Sequence, residues 1–179
     1  MTTYTHRIAT EADLPALHAL MARAIDQLQS DFLTPEQVAA SRHVMGLDSQ
    51  LVKDGTYILI ETEDGTIAGC GGWSYRSTLY GGDASVVQRE PTVLDPATDA
   101  ARIRAMYTNP DFARRGIGRQ IMTLCEEAAR AAGFQRTEMM ATMAGVPLYR
   151  SVGYTPIEDV LSAPIDGVRV PLLRMGKQL

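Results

Sequence analysis

Two glycines two residues apart, preceded by paired arginines, stand inside Asn109–Phe134, NPDFARRGIGRQIMTLCEEAARAAGF. A strand pattern leads into them, since in ARIRAMYT the residues Ile103, Ala105 and Tyr107 alternate with Arg104, Met106 and Thr108. A helix pattern leads out: Ile117, Ile121, Leu124, Cys125, Ala128 and Ala132 share one face, and Arg119, Gln120, Thr123, Glu126, Glu127 and Arg130 cover the other. The amides of a first helical turn have no intrahelical acceptor, and the helix dipole adds partial positive charge there. Glycine lets the backbone turn tightly and come close to a ligand. Arg114, Arg115 and Arg119 add full charge, so the natural occupant is an anion such as a pyrophosphate. A purely structural reading stays open, in which Gly116 ends a loop and Gly118 permits close packing. Two common nucleotide motifs are absent: there is no G-x-x-x-x-G-K-[ST], and no third glycine at dinucleotide-fold spacing.

The rest of the chain supplies the elements that would position this junction. YTHRIATEADLPALHALMARAIDQL reads as a strand and then a helix, with Thr10 and Asp13 suited to its N-terminus and Pro15 to its first turn. Thr34 caps a second, short helix in TPEQVAASRHVM. GTYILIETEDGTIAGCGGWSY is a hairpin turning at Asp64-Gly65. Residues 75–100 carry turn residues and no period, and are expected to form a long loop: either a substrate lid or a partly disordered excursion with a short strand near Val86. After the glycine helix, closed by Gly133, come a strand in QRTEMMAT, a short helix in GVPLYRSV ended at Gly153, and two strands around Asp166-Gly167.

Composition narrows the function classes. The chain has 179 residues, 45% hydrophobic, enough to bury one core, and a net charge of -4, which argues against holding nucleic acid by phosphate neutralisation. Only Cys70 and Cys125 occur, without zinc-ligand spacing, so they read as reduced core thiols and no metal site is expected. No run of about 18 apolar residues and no signal segment is found, so a cytoplasmic protein that does not enter the membrane is expected.

The sequence resembles the GNAT superfamily of N-acetyltransferases, which use acetyl-coenzyme A. RIATEADLPAL is similar to the family's opening strand and helix, GTIAGCGGW to its third strand and MYTNPDFARRGIGRQIMTLCEEAARAAGF to its cofactor motif. AGVPLYRSVGY is similar to its closing helix motif, a Tyr followed by Gly and an aromatic. The resemblance implies that the backbone of Arg114, Arg115, Gly116, Ile117, Gly118 and Arg119 holds the pyrophosphate. Met106, Tyr107 and Thr108 would hold the pantetheine arm and acetyl carbonyl where the family's fourth and fifth strands splay. One position departs: the family usually has Arg or Gln three residues before the first glycine, and this chain has Ala113, which removes one side-chain anchor.

The resemblance implies direct attack of a neutral amine on the thioester in a ternary complex. It makes Tyr149 the acid that protonates the leaving sulfur; without it, Tyr149 reads as a buried aromatic beside Leu148. Glu138 is the candidate base, taking a proton directly or through water, and is equally readable as a solvated strand residue. Asp83 and Glu90 in the long loop could recognise a cation or simply face solvent, His43 is a weaker candidate, placed where the family's second helix borders the acceptor pocket, and His6 and His18 read as structural or surface residues. Trp73, Tyr75 and Tyr80 could line an acceptor pocket, although core packing explains Trp73 as well. A cysteine nucleophile is not expected, because Cys125 falls on the apolar helical face.

The whole chain, residues 1–179, is thus read as one α/β domain with a twisted mixed sheet flanked by helices, in the order β-α-α-β-β-β-α-β-α-β-β. The expected activity is acetyl-coenzyme A-dependent acetylation of a primary amine on a small molecule. Alternatives are a protein N-terminal or lysine acetyltransferase and a non-catalytic coenzyme A-binding regulatory module. The final two strands could support an intersubunit sheet in a homodimer.

Overall fold

The computed structural model describes residues 3–179. Strand β1 (Tyr4–Ile8) leads through a 3-10 turn at Glu11–Asp13 into helix α1 (Leu14–Leu28). Thr10 and Asp13 cap this junction reciprocally, and Arg7 grips the same Asp13 carboxylate at 2.8 Å. Helix α2 (Pro35–Ser41) begins at Thr34, whose hydroxyl accepts from the Gln37 amide, as the sequence predicts. A five-residue helix, α3 (Ser49–Lys53), capped by Asp48, was not expected; it is too short to show a period. Strands β2 (Tyr57–Thr62) and β3 (Ile67–Ser74) form the expected hairpin, with Gly65 at φ 83° in its turn.

Then follow β4 (Ala101–Thr108), α4 (Ile117–Ala131), β5 (Arg136–Thr142), α5 (Val146–Ser151), β6 (Thr155–Leu161) and β7 (Pro171–Gln178). The seven strands order as β1-β2-β3-β4-β5-β7-β6, antiparallel throughout except for β4 beside β5. Alternation along β2 shows how the sheet is sandwiched. Ile58 and Ile60 pack with Ile117, Ile121 and Cys125 of α4, while Tyr57 and Leu59 pack with Leu17 and Leu20 of α1 on the other face.

Helix α4 is rotated slightly from its expected setting. Met122 and Ala129 are fully buried with Ile117, Ile121 and Cys125, whereas Leu124 and Ala128 are half-buried and Ala132 is exposed. Burial of side chains such as Ile117, Ile121 and Met122 contributes roughly 1.5–3 kcal/mol each. Glu126, expected on the wet face, is buried and paired with Lys177 at 2.8 Å. Residues 75–100 form no strand near Val86; a lone bridge joins Arg76 to Val93, and side-chain anchors tie the segment to the body.

Candidate active site

Strands β4 and β5 pair only at Ala101–Thr137 and Arg102–Glu138 and then diverge, because β5 keeps full register with β7 instead. The main-chain groups of β4 that face β5 beyond this point have no strand partner. The opening coincides with a bulge: the β3–β4 register slips between Cys70 and Gly72, and Ala105 adopts φ 50°. The Tyr57 hydroxyl fastens the bulge by donating to the Ala105 carbonyl at 2.7 Å. The predicted Met106, Tyr107 and Thr108 all line the resulting cavity; the Tyr107 hydroxyl itself accepts from the Gly46 amide at 3.0 Å.

One end of this cavity is the glycine junction. Arg114 at φ 61° and Gly116 at φ 82° alternate with ordinary backbone to make a concave run of N–H groups. Among the described residues, no group accepts a hydrogen bond from the amides of Arg114 through Arg119; the first helix-closing bond runs from Gln120 to the Gly116 carbonyl. Six donors therefore point at a site with partial positive charge and no internal partner. No carboxylate among the described residues pairs with Arg114, Arg115 or Arg119. Arg119 donates to the Ser151 hydroxyl at 3.0 Å, and Arg115 lies over the Phe112 ring at 5.3 Å.

Missing β-carbons set the height of this helix start. A β-carbon at Gly69 would stand 2.5 Å from Ile117 Cγ2, and one at Gly71 2.7 Å from Ile121 Cγ2, so α4 lies closer to β3 than any side chain there would allow. One at Gly118 would stand 2.6 Å from Leu148 Cδ2, so Gly118 serves close packing against α5. Gly116 is different: space around it is open and its positive φ is the requirement. The two glycines thus serve different ends: Gly118 close packing, Gly116 a backbone turn beside the open amides.

The cavity, about 690 Å³, runs from this junction past the splay to the C-terminal end of α1. Tyr149 stands midway on α5, its ring 7% exposed. Its hydroxyl makes no hydrogen bond to the described residues, and burial, with a smaller contribution from Cys125, pushes the phenol well above its ordinary pKa. It therefore stays protonated and available as a donor. At the far end Ala24, Leu28, Phe32, Val44 and Leu172 form an apolar wall, roofed by Leu79–Gly81 of the long segment.

That roof is held by buried charge. Arg104, 3% exposed, donates to Asp48 at 3.1 Å and to the carbonyls of Thr78 and Gly81 at 3.3 and 2.7 Å. Arg89 bridges Asp48 and Asp83 at 2.8 and 2.7 Å. Arg76 clamps Asp54 at 2.7 Å. Residues 75–94 are thus a strap fastened to α3 and β4.

Several candidates fall elsewhere. Glu138 does not line the cavity; it sits at the paired end of β4–β5, held by Arg102 at 3.1 Å and by Arg174 at 2.5 Å. Both contacts hold its carboxylate away from the cavity, out of reach of a substrate bound there. Asp83, Glu90 and His43 lie outside the cavity, Trp73 packs edge-on against Tyr75 and Phe134 in the core, and Tyr80 does reach the cavity. Both thiols are fully buried, and desolvation raises them, Cys70 to about 12, which leaves no thiolate for a covalent route. Among the described residues no group of three or more His, Cys, Asp and Glu is placed to hold a metal, and no helix is long and apolar enough to cross a membrane. The residues missed from sequence are Tyr57, Arg104, Asp48, Gln29 and Phe32. Only the arginine inside an apolar strand pattern offered a signal, since a cation there must find a partner.

Residues 19–154 match the model of the acetyltransferase (GNAT) family. The chain belongs to that family. Solved structures agree on the fold. A GCN5-related N-acetyltransferase structure from Rhodopseudomonas palustris is 19% identical, with TM-score 0.71, covering 100% of this chain and 98% of that one. The PaiA N-acetyltransferase of Thermoplasma acidophilum, in complex with coenzyme A, is 11% identical, with TM-score 0.65 and 99% of each chain covered. The yncA protein of Salmonella typhimurium, with its cofactor acetyl-CoA, is 19% identical, with TM-score 0.63, covering 98% of this chain and 94% of that one. No curated protein matches this chain significantly. In this GNAT acetyltransferase the splay, the bulge and the open amides all border the one cavity.

Proposed function

We propose that the chain is an acetyl-coenzyme A-dependent N-acetyltransferase that acetylates a primary amine of a small molecule in a ternary complex. The observation that carries this reading is the run of six partnerless amides, Arg114 to Arg119, opening into a cavity that continues past Tyr149 to a roofed apolar end. The amides and the three arginines would take the diphosphate, offsetting the anchor that Ala113 lacks. Unpaired N–H groups of β4 beside the bulge would align the thioester and meet the negative oxygen that forms when nitrogen adds to the carbonyl. As the carbon–sulfur bond breaks, the Tyr149 hydroxyl would protonate the sulfur, and the nitrogen's proton would replace it. The strap over the acceptor end favours a compact molecule over a protein surface.

Thiol release from acetyl-coenzyme A across a panel of amines tests the activity. Tyr149→Phe is expected to lower turnover about a hundredfold, within the usual range for a lost proton donor, and to leave acetyl-coenzyme A affinity unchanged by calorimetry. Unchanged turnover would remove Tyr149 from the chemistry.

A further inference from the structure

The composition of the cavity wall speaks about the acceptor. From the glycine junction to the end of α1, the described residues that line it include no Asp, Glu, His or Lys. Arg114 and Arg119 belong to the junction, and Arg104 is spent on Asp48 and the strap carbonyls. Several acids of the surrounding elements are committed elsewhere, Asp26 to Arg42, Asp48 and Asp83 to Arg89, Glu138 to Arg102 and Arg174, and Asp31 and Glu90 do not line the cavity. The titratable groups that do face the cavity are the phenols of Tyr80, Tyr107 and Tyr149, and burial raises Tyr107 and Tyr149.

An ammonium entering this site would exchange water for an apolar wall with no counter-charge, an unfavourable transfer. The ring faces of Phe32 and Tyr80 would offset only part of that loss. No side chain there would accept the surplus proton either. An amine that arrives neutral avoids both difficulties. Its nitrogen loses one proton in forming the amide, the departing sulfur needs one, and Tyr149 alone can carry it across.

Gln29 adds the polar element. It lies at the end of α1, 5% exposed, its Nε2 against Met45 Sδ at 3.2 Å and its buried Oε1 without a donor. A buried acceptor left unpaired is destabilising, and a ligand N–H would satisfy it. Building on the acyl-transfer reading, we propose that the acceptor is an apolar amine uncharged near neutral pH, its basicity lowered by an adjacent carbonyl or ring, with Gln29 hydrogen-bonded to its polar group.

Phenylalaninamide and phenethylamine share a ring but differ in amine basicity, so kcat/KM for both tests the assignment, with acetyl-coenzyme A affinity measured alongside by calorimetry. At pH 7 the amide is expected to lead by at least about tenfold, because an α-amine is far more often neutral than an alkylamine. For phenethylamine, kcat/KM should climb about tenfold per pH unit from pH 7 to 9 without a plateau, since only the substrate titrates. Equal rates, preference for the alkylammonium, or a plateau below the amine's own pKa would overturn the acceptor class and leave acyl transfer standing. Acetyl-coenzyme A binding with no transfer to either amine would overturn acyl transfer and the class together. Gln29→Glu, which adds an anion of the same shape, should narrow the preference while sparing acetyl-coenzyme A affinity; an unchanged preference would remove Gln29 from the assignment.

Discussion

The two ends of the cavity are built on opposite electrostatic plans. At the glycine junction, main-chain donors and three arginines stand without internal acids, so their attraction is available to a ligand. At the other end, Arg104 and Arg89 are paired with Asp48 and Asp83 within the protein, and the wall that remains is apolar. Open polarity selects a charged ligand, whereas closed polarity builds a shape and leaves selection to size and neutrality. One consequence is that damage at each end should be separable.

The largest effect is expected from Arg104→Met, which leaves Asp48 buried with only Arg89. Breaking a buried pair from one side costs about 3–5 kcal/mol, and the residual partner places this case near 3 kcal/mol, read from denaturant unfolding. The acceptor KM should rise while acetyl-coenzyme A affinity holds; a fall in both would end the separation of the two regions.

Gly116→Trp attacks the other end. A side chain at φ 82° costs about 1–2 kcal/mol and fills the open space over the amides, so acetyl-coenzyme A affinity should fall about a hundredfold in a protein whose circular dichroism is unchanged. Full affinity in that variant would show that the amides are not the diphosphate site. Gly69→Ala sharpens the contrast, because its methyl would strike Ile117 and Ile121 and cost about 1–3 kcal/mol, with weaker acetyl-coenzyme A binding and an unaffected strap.

The smallest effect concerns the strap's outer clamp. Arg76 hydrogen bonds, helped by Gln50, hold the Asp54 carboxyl below its ordinary value of 3.8. The folded protein binds this proton more weakly than the unfolded chain, so the clamp is at full strength above that value and is lost as the pH falls through the lower, folded one. Asp54→Asn should therefore speed amide exchange at Ser77 and Leu94, with little change at α4, and acid should reproduce the effect in the parent protein.

This division also explains what the sequence could disclose. The junction is contiguous: a strand, a turn and a helix within one stretch, where local rules of period, capping and glycine conformation operate, so its layout is legible from spacing alone. The hairpin at Asp64-Gly65 and the caps at Thr10 and Thr34 were legible for the same reason. The acceptor end draws on α1, residues 44–46, the strap and β7, and no local pattern records that Arg104 reaches Thr78 and Gly81 across the chain. Glu138 was placed on the right strand, but its pairing with Arg174 depends on β5–β7 register, which spacing alone does not reveal. Glu126 was misassigned because a charged residue in a helix pattern reads as wet until a partner such as Lys177 arrives from β7.

The two absent side chains of β3 have one more effect. Strand β3 pairs with the bulged strand on its edge and supports the helix start on its face, so a single stretch of backbone fixes both the height of the open amides and the position of the bulge. On the proposed reading the pantetheine tether has a set length, and the distance it would span is gauged by how low the helix rests on Gly69 and Gly71. Two residues that line no part of the cavity would thereby decide where the acetyl carbon stops in front of the attacking nitrogen.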